Sequence, residues 1–238
     1  MCGSSRRAPA MLKRKQRGQA MVEFLIVAPV VIMLIFGTIQ AAFIYSAKST
    51  LNYATFQAAR LGAVNNASYD GLRRGLIRGL TPMFTHQNTD ADKTRAHLQA
   101  GNEVDNYIRI TRISPNLGDF SAFGQWDSSK ADYAIPNDNL MYRPGIGIQD
   151  ANLLKVRVQY CLALTVPIVD RLLSAASRFN NAGIEGSFSG ASANAVSQYA
   201  TLCQAGRRGI VITAETTLRM QSNAMRDSTG CASRMACM

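Results

Sequence analysis

Glu23 is the only ionisable side chain between residues 20 and 45, and residues 24–36 carry no polar side chain at all. An ionised carboxylate at mid-bilayer costs on the order of 2.5–3.5 kcal/mol, and less near the interface. A carboxylate so placed either lies near a surface or has a partner. Gly18 and Gln19 offer a way to make one. Cutting the chain after Gly18 gives Gln19 a new α-amino group, whose ordinary pKa is about 7.7–8. Glu23 can pair with that amine within its own chain or from a neighbouring one. Were the chain cut there, the consequence would be neutralisation of a charge set in an apolar segment.

Cysteines form the second arrangement. Cys161, Cys203, Cys231 and Cys237 make an even set, with Cys2 apart in the basic N-terminal stretch. Their spacings are not C-x-x-C and no histidine stands near, which favours disulfides in an oxidising compartment over a metal site. Four cysteines allow three pairings. We favour Cys161–Cys203, joining one strand to the approach of another, and Cys231–Cys237, closing the tail.

Other motifs do not assemble into a catalytic set. His86 and His97 lack the H-E-x-x-H spacing of a zinc protease. The run Gly186-Ser187-Phe188-Ser189-Gly190 has Phe188 where a nucleophile elbow needs serine. Gly145-Ile146-Gly147 lacks the third glycine of a dinucleotide loop, and Asp90 and Asp92 read as solvated sequence. The expectation is a protein that is not an enzyme and needs no cofactor or metal.

These residues must be positioned by a membrane helix and a head. Of 26 basic residues, six lie within residues 1–18 (Arg6, Arg7, Lys13, Arg14, Lys15, Arg17), with no acid among them. Removing those six and Glu23 leaves 20 basic against 14 acidic residues, a mild and scattered excess. Such a distribution gives no gathered face for nucleic acid. At about 1.5 Å per residue, the run 20–45 reaches roughly 39 Å as a helix, enough for a hydrocarbon core of about 30 Å. Basic residues before it, and none until Lys48 after it, place the N-terminus in the cytoplasm and the remainder outside.

An ordinary secretory signal has a shorter apolar region and a small-x-small cleavage site. Tyr45-Ser46-Ala47 puts a bulky residue in that site, while Ala41-Ala42 keeps the cleaved alternative open beside a plain uncleaved anchor. Met11 is a second candidate start, which would leave a compact leader ending at Gly18. Pro29 lies within the run. It removes one backbone hydrogen bond, giving a bend in an anchor or a weak point from which the helix could leave the bilayer.

The junction Arg17-Gly18-Gln19-Ala20-Met21-Val22-Glu23-Phe24 resembles a type IV prepilin processing site. More narrowly, residues 18–64 resemble the TadE-like family of the tight-adherence (Flp) pilus system. The matching features are the basic leader ending in Gly18, then Val22-Glu23-Phe24, Pro29, and Ala58-Ala59-Arg60 beyond the apolar run. The resemblance implies a minor pseudopilin in pilus assembly, cut after Gly18 by a membrane prepilin peptidase that recognises the position of Glu23. It also implies a bacterial inner-membrane location and a single pass, with the head periplasmic. Lipid, the peptidase and other pseudopilins or pilus assembly proteins are the implied partners. A reading of another class is a signal-anchored periplasmic binding or adhesion module with no role in a filament.

The expected organisation is a leader (1–18), an N-terminal helix with transmembrane and periplasmic halves (19–64) and an α+β head (65–238). The long helix would pack on a small antiparallel sheet in pilin-like fashion. Residues 46–64 continue the helix with near-helical apolar spacing, and Asn65-Asn66-Ala67-Ser68 ends it. In residues 71–80 glycine recurs every fourth position with leucine one step behind, a face that permits close helix approach. The alternatives there are an ordinary surface helix or arginines (Arg73, Arg74, Arg78) at anionic lipid heads. Alternation marks strands at 107–113, 154–164 and 210–219, with Arg, Lys and Thr at intervening positions giving the sheet a wet face. Helices are expected near 90–104, 168–179 and 192–202. Residues 114–149 read as a long irregular connection, with Phe120, Phe123, Trp126, Tyr133 and Tyr142 either packing it down or forming a contact patch.

Overall fold

A computed structural model of the chain describes residues 19–138, 147–166, 169, 203, 207, 209–227, 230–231 and 234–238, with Gln19 and Ala20 described by backbone alone. Gly18, Tyr142 and the helices expected at 168–179 (apart from Val169) and 192–202 lie outside the described residues.

The first helix, α1 (Gln19–Val64), runs for 46 residues, about 69 Å at 1.5 Å per residue. Its two halves follow different rules. From Met21 to Ile39 no side chain is buried. From Gln40 onward a face closes, with Gln40, Ala47, Leu51, Ala54 and Ala58 buried at helical spacing. The helix stops where Asn66 and Ala67 turn left-handed, at φ 60° and 54°. Its last carbonyls do not go unsatisfied: Asn65 N–H donates to Leu61 O, and Gln221 and Ser222 N–H both donate to Ala63 O.

Helix α2 (Tyr69–Phe84) starts at Ser68, whose hydroxyl accepts from Gly71 N–H at 3.3 Å. The glycine face of α2 points at α1. A Cβ on Gly75 would sit 2.4 Å from Ala58 Cα, and one on Gly79 2.4 Å from Ala54 Cα. The two backbones therefore touch, so the small-residue face expected from the spacing serves packing within the chain. Helix α3 (Asp90–Tyr107), capped by Thr89, packs on α2, where Arg73 donates twice to Asp105 at 2.6–2.7 Å. That bond draws the Asp105 carboxyl below its usual range.

Strand β1 (Ile108–Ser114) leads into the connection expected to be irregular. The structure corrects that expectation in part. This segment holds helix α4 (Leu117–Phe123), strands β2 (Gln125–Asp127) and β3 (Asp132–Ile135), and the first half of α5 (Ile148–Ala151). Local bonding explains the difference: Asn116 and Asp119 form a reciprocal capping box, and Asp127 accepts from Ser129 in the β2–β3 turn. Phe120 is buried, whereas Trp126 and Tyr133 meet edge to face at 5.3 Å and stay largely exposed.

The long strands β4 (Leu153–Ala163) and β5 (Gly209–Arg219) follow, then short β6 (Ala224–Met225) and β7 (Ala236–Cys237). The main sheet has the order β5-β4-β1-β7, antiparallel except for the two-residue β7, which runs parallel to β1. A second small sheet has the order β2-β3-β6. Val156, Val158, Tyr160 and Leu162 of β4 join Ile110, Ile212 and the helices in one core. On the opposite face Lys155 and Arg157 pair with Glu215. Gln159 and Thr111 there are buried, so that face is wet at one end only. The architecture is the expected α+β arrangement, a long helix packed on a small, mainly antiparallel sheet.

Candidate functional site: the apolar helix and its junction with the head

The backbone places Gln19 at the start of α1 and Glu23 four residues on, about 6 Å along the axis and on the same side. Residues so spaced are neighbours on a helix surface. The Glu23 side chain is exposed.

Around and beyond it, twelve large apolar side chains from Met21 to Ile35 are 43–73% exposed. Burying one such side chain fully is worth about 1.5–3 kcal/mol. Holding these in water at their present exposure thus costs on the order of 15 kcal/mol. They surround the helix on every side, so packing one face against a partner would leave the rest wet. The helix is long and apolar enough to cross a membrane, and its most apolar window is 0% buried in the protein. Pro29 lies inside it without ending it, leaving the Leu25 carbonyl without its usual N–H donor.

The exit from this segment differs from the boundary read in the sequence. The apolar run continues to Tyr45, but the head begins at Gln40, which is 1% exposed and accepts the Val166 N–H at 3.0 Å. Around it Phe43 and Ala47 of α1, Pro82 and Met83 of α2, and Leu162 of β4 line a cavity of about 430 Å³. Residues 21–39 alone project from the head. At 1.5 Å each they span about 28 Å, matching a hydrocarbon core of about 30 Å.

Behind the junction the head is held by groups that the sequence reading missed. Arg112 is fully buried. It donates to the carbonyls of Met225 (2.9 Å), Arg226 (2.8 Å) and Ala67 (3.4 Å), and its guanidinium lies 5.2 Å from the Phe120 ring centre. Burial pulls its pKa down to about 10, partly offset by Asp227 and Asp132, so it remains charged at neutral pH. The available signal was phase: in β1, Arg112 shares the inward positions of Ile108 and Ile110. A second knot joins Glu103, which accepts from Arg207 at 2.5 and 2.9 Å and from the Tyr160 hydroxyl at 3.1 Å. Burial and the Glu103 charge push the Tyr160 hydroxyl well above its usual range. Arg207 also covers the Tyr107 ring at 4.0 Å.

Cys161 is bonded to Cys203, and Cys231 to Cys237, with Cα separations of 5.4 and 5.5 Å. The second bond draws in the tail near Arg112, which donates to Cys231 Sγ at 3.3 Å. Among the described residues no three His, Cys, Asp or Glu side chains gather to hold a metal ion. His86 and His97 stand apart, the latter 3.4 Å from the Thr81 hydroxyl.

Residues 18–60 match a family model described as TadE-like protein, which associates this segment with tight-adherence (Flp) pilus systems. No curated protein and no solved structure matches the chain.

Proposed function

We propose that this chain, similar to TadE-like proteins across residues 18–60, is a minor pseudopilin that acts in assembly of a tight-adherence pilus or a related secretion apparatus. In this reading residues 21–39 span the bacterial inner membrane once. The basic stretch before them stays in the cytoplasm and the α+β head stands in the periplasm. A prepilin peptidase cuts between Gly18 and Gln19, and Glu23 then pairs with the new amine. The protein works by contact, with lipid, the peptidase and other pilus assembly proteins, rather than by turnover.

The observation that carries the reading is the division of α1. A segment of bilayer length, exposed on all sides and carrying one acid a turn from its start, continues without a break into a helix locked in a folded head. A signal sequence removed after Ala42 or Ala47 would take with it Gln40, whose side chain accepts the N–H of Val166 just past β4.

The test is the mature N-terminus, read by intact mass in cells with and without the peptidase. A terminus at Gln19 that depends on the peptidase supports the reading; one after Ala42 or Ala47, or an uncut chain in both strains, overturns it. Glu23→Ala should insert normally yet be impaired in processing or piliation. Normal processing with normal piliation in that variant would remove the role given to the carboxylate.

A further inference from the structure

Three arginines converge on an open groove at the end of α1 remote from the apolar segment. Arg60 of α1, Arg78 of α2 and Arg219 of β5 line it together with Phe56, Val64 and Leu218, around a volume of about 500 Å³. Among the described residues no Asp or Glu lines it. All three arginines are exposed, and none forms an ion pair with a described carboxylate. Elsewhere in the head Arg73, Arg157 and Arg207 all do. Arg60 leans over the Phe56 ring at 5.8 Å, and Phe56 and Val64 remain 41% and 55% exposed. Three like charges held around apolar surface repel one another, and that repulsion is relieved when carboxylates enter.

We infer that this groove docks a segment of another protein that carries at least two carboxylates beside an apolar side chain. Arginine and aromatic side chains are the groups that dominate protein interfaces, and a guanidinium fork binds a carboxylate in bidentate fashion. Two other occupants fit less well. Lipid headgroups extend only about 5–8 Å beyond the hydrocarbon on each side, whereas Arg60 lies 20 residues, about 30 Å of helix, past Gln40. A second copy would bring the same basic excess to a groove that is already cationic. The exclusion of lipid rests on the anchored reading of α1; the groove's charge and shape do not.

The experiment uses the full chain in its host cells, with a photo-crosslinking amino acid at Gln57 or Gln221 in the groove and at exposed Ser121 as control. The expected result is a discrete protein adduct from the groove positions only, whose crosslinked peptide contains two or more Asp or Glu within a few residues. That adduct should fall at least fivefold in Arg60→Glu/Arg219→Glu and persist in Arg60→Lys/Arg219→Lys. Abundance and protease resistance of each variant check that the head is folded. No adduct, an adduct to a second copy, a peptide without acids, or indifference to charge reversal each overturns the inference while leaving the anchored reading intact. Adducts to lipid at Gln57 would instead show that the end of α1 lies at the membrane, and the anchored geometry would fail.

Discussion

The contact between α1 and α2 makes a prediction in which glycines in neighbouring helices have opposite signs. Alanine at Gly75 would place its Cβ 2.4 Å from Ala58 Cα, 2.7 Å from Gln57 O and 2.8 Å from Ala58 N. Ordinary carbon contacts are about 3.5–4.0 Å, so α2 must retreat by more than about 1 Å. The obstructing atoms are helix backbone, and no rotamer change relieves them. Retreat opens the layer in which Leu51, Leu72, Leu76 and Leu80 are 0–1% exposed. Overpacking of this kind costs about 1–3 kcal/mol, while replacing glycine by alanine in a helix returns about 0.8–1 kcal/mol. Because helix backbone is what obstructs, the cost falls in the upper half of that range, so the net loss is about 1–2 kcal/mol for Gly75→Ala, and the same for Gly79→Ala, whose Cβ meets Ala54 Cα at 2.4 Å. One displacement accommodates both, so the overpacking cost is met once while both alanine gains are kept, and the double variant should lose only about 0–1.5 kcal/mol, well below the sum of the singles. At Gly101 in α3 the nearest atoms to a new Cβ are Ile77 Cδ1 at 3.8 Å and Arg73 Nη2 at 3.9 Å, both ordinary contacts. Gly101→Ala should therefore stabilise the head by about 0.5–1 kcal/mol. Pulse proteolysis of the full chain in detergent across a denaturant series gives the midpoints. Gly75→Ala at or above wild-type stability, or Gly101→Ala losing as much as Gly75→Ala, would refute the account of this interface.

Two further outcomes follow from the head. Arg112→Met leaves the buried Met225 and Ala67 carbonyls without its N–H donors and should cost about 2–6 kcal/mol, at about 1–3 for each buried acceptor; Arg112→Lys, which keeps the charge, should cost at least about 1 kcal/mol less by the same denaturant midpoints. Opening Cys161–Cys203, 42 residues apart, by a double serine substitution should cost about 4 kcal/mol on the chain-entropy account, against about 2 kcal/mol for Cys231–Cys237, six apart; equal losses would show that loop length is not what these bonds act through.

The apolar segment and the strands were legible because their signals are local. Residues 24–36 admit no polar side chain, and β1, β4 and β5 alternate at period two within a residue or so of the boundaries read from the sequence. The glycine spacing in α2 signalled a close approach but not its partner, because the partner is defined by Ala54 and Ala58, an inconspicuous pair of small residues in another helix. Residues 114–149 hid their structure for a related reason. Asn116, Asp119, Asp127 and Ser129 are loop residues by composition, and only their mutual hydrogen bonds turn them into caps and turns. Arg112 was legible in phase and passed over by type, since an arginine at an inward strand position reads as solvent-facing until carbonyl acceptors from distant segments surround it. The candidate site divides likewise. Gln19 and Glu23 follow from spacing alone, whereas the true beginning of the head at Gln40 needs the Val166 N–H, 126 residues away.

That boundary also explains a change in residue size along α1 that hydropathy does not separate. Before Gln40 the helix is built from Val, Ile, Leu, Met and Phe, whose bulk fills space against mobile acyl chains under the anchored reading. After it the buried positions turn mainly to Ala47, Ala54, Ala58, Ala59, Gly62 and Ala63, with Leu51 and Thr55 among them. Both stretches are apolar, so a hydropathy scale runs them together as far as Tyr45. They differ because a second helix backbone must come within contact distance of the later stretch, and side chains larger than a methyl group would hold it away. Gln40 suits the seam for a separate reason. Its amide oxygen takes the Val166 N–H, three residues past the end of β4, and such a group is tolerable only where α1 is covered by protein. On the anchored reading the depth of insertion is thus fixed by where the head closes on the helix, and the apolar run past that point serves the core of the head.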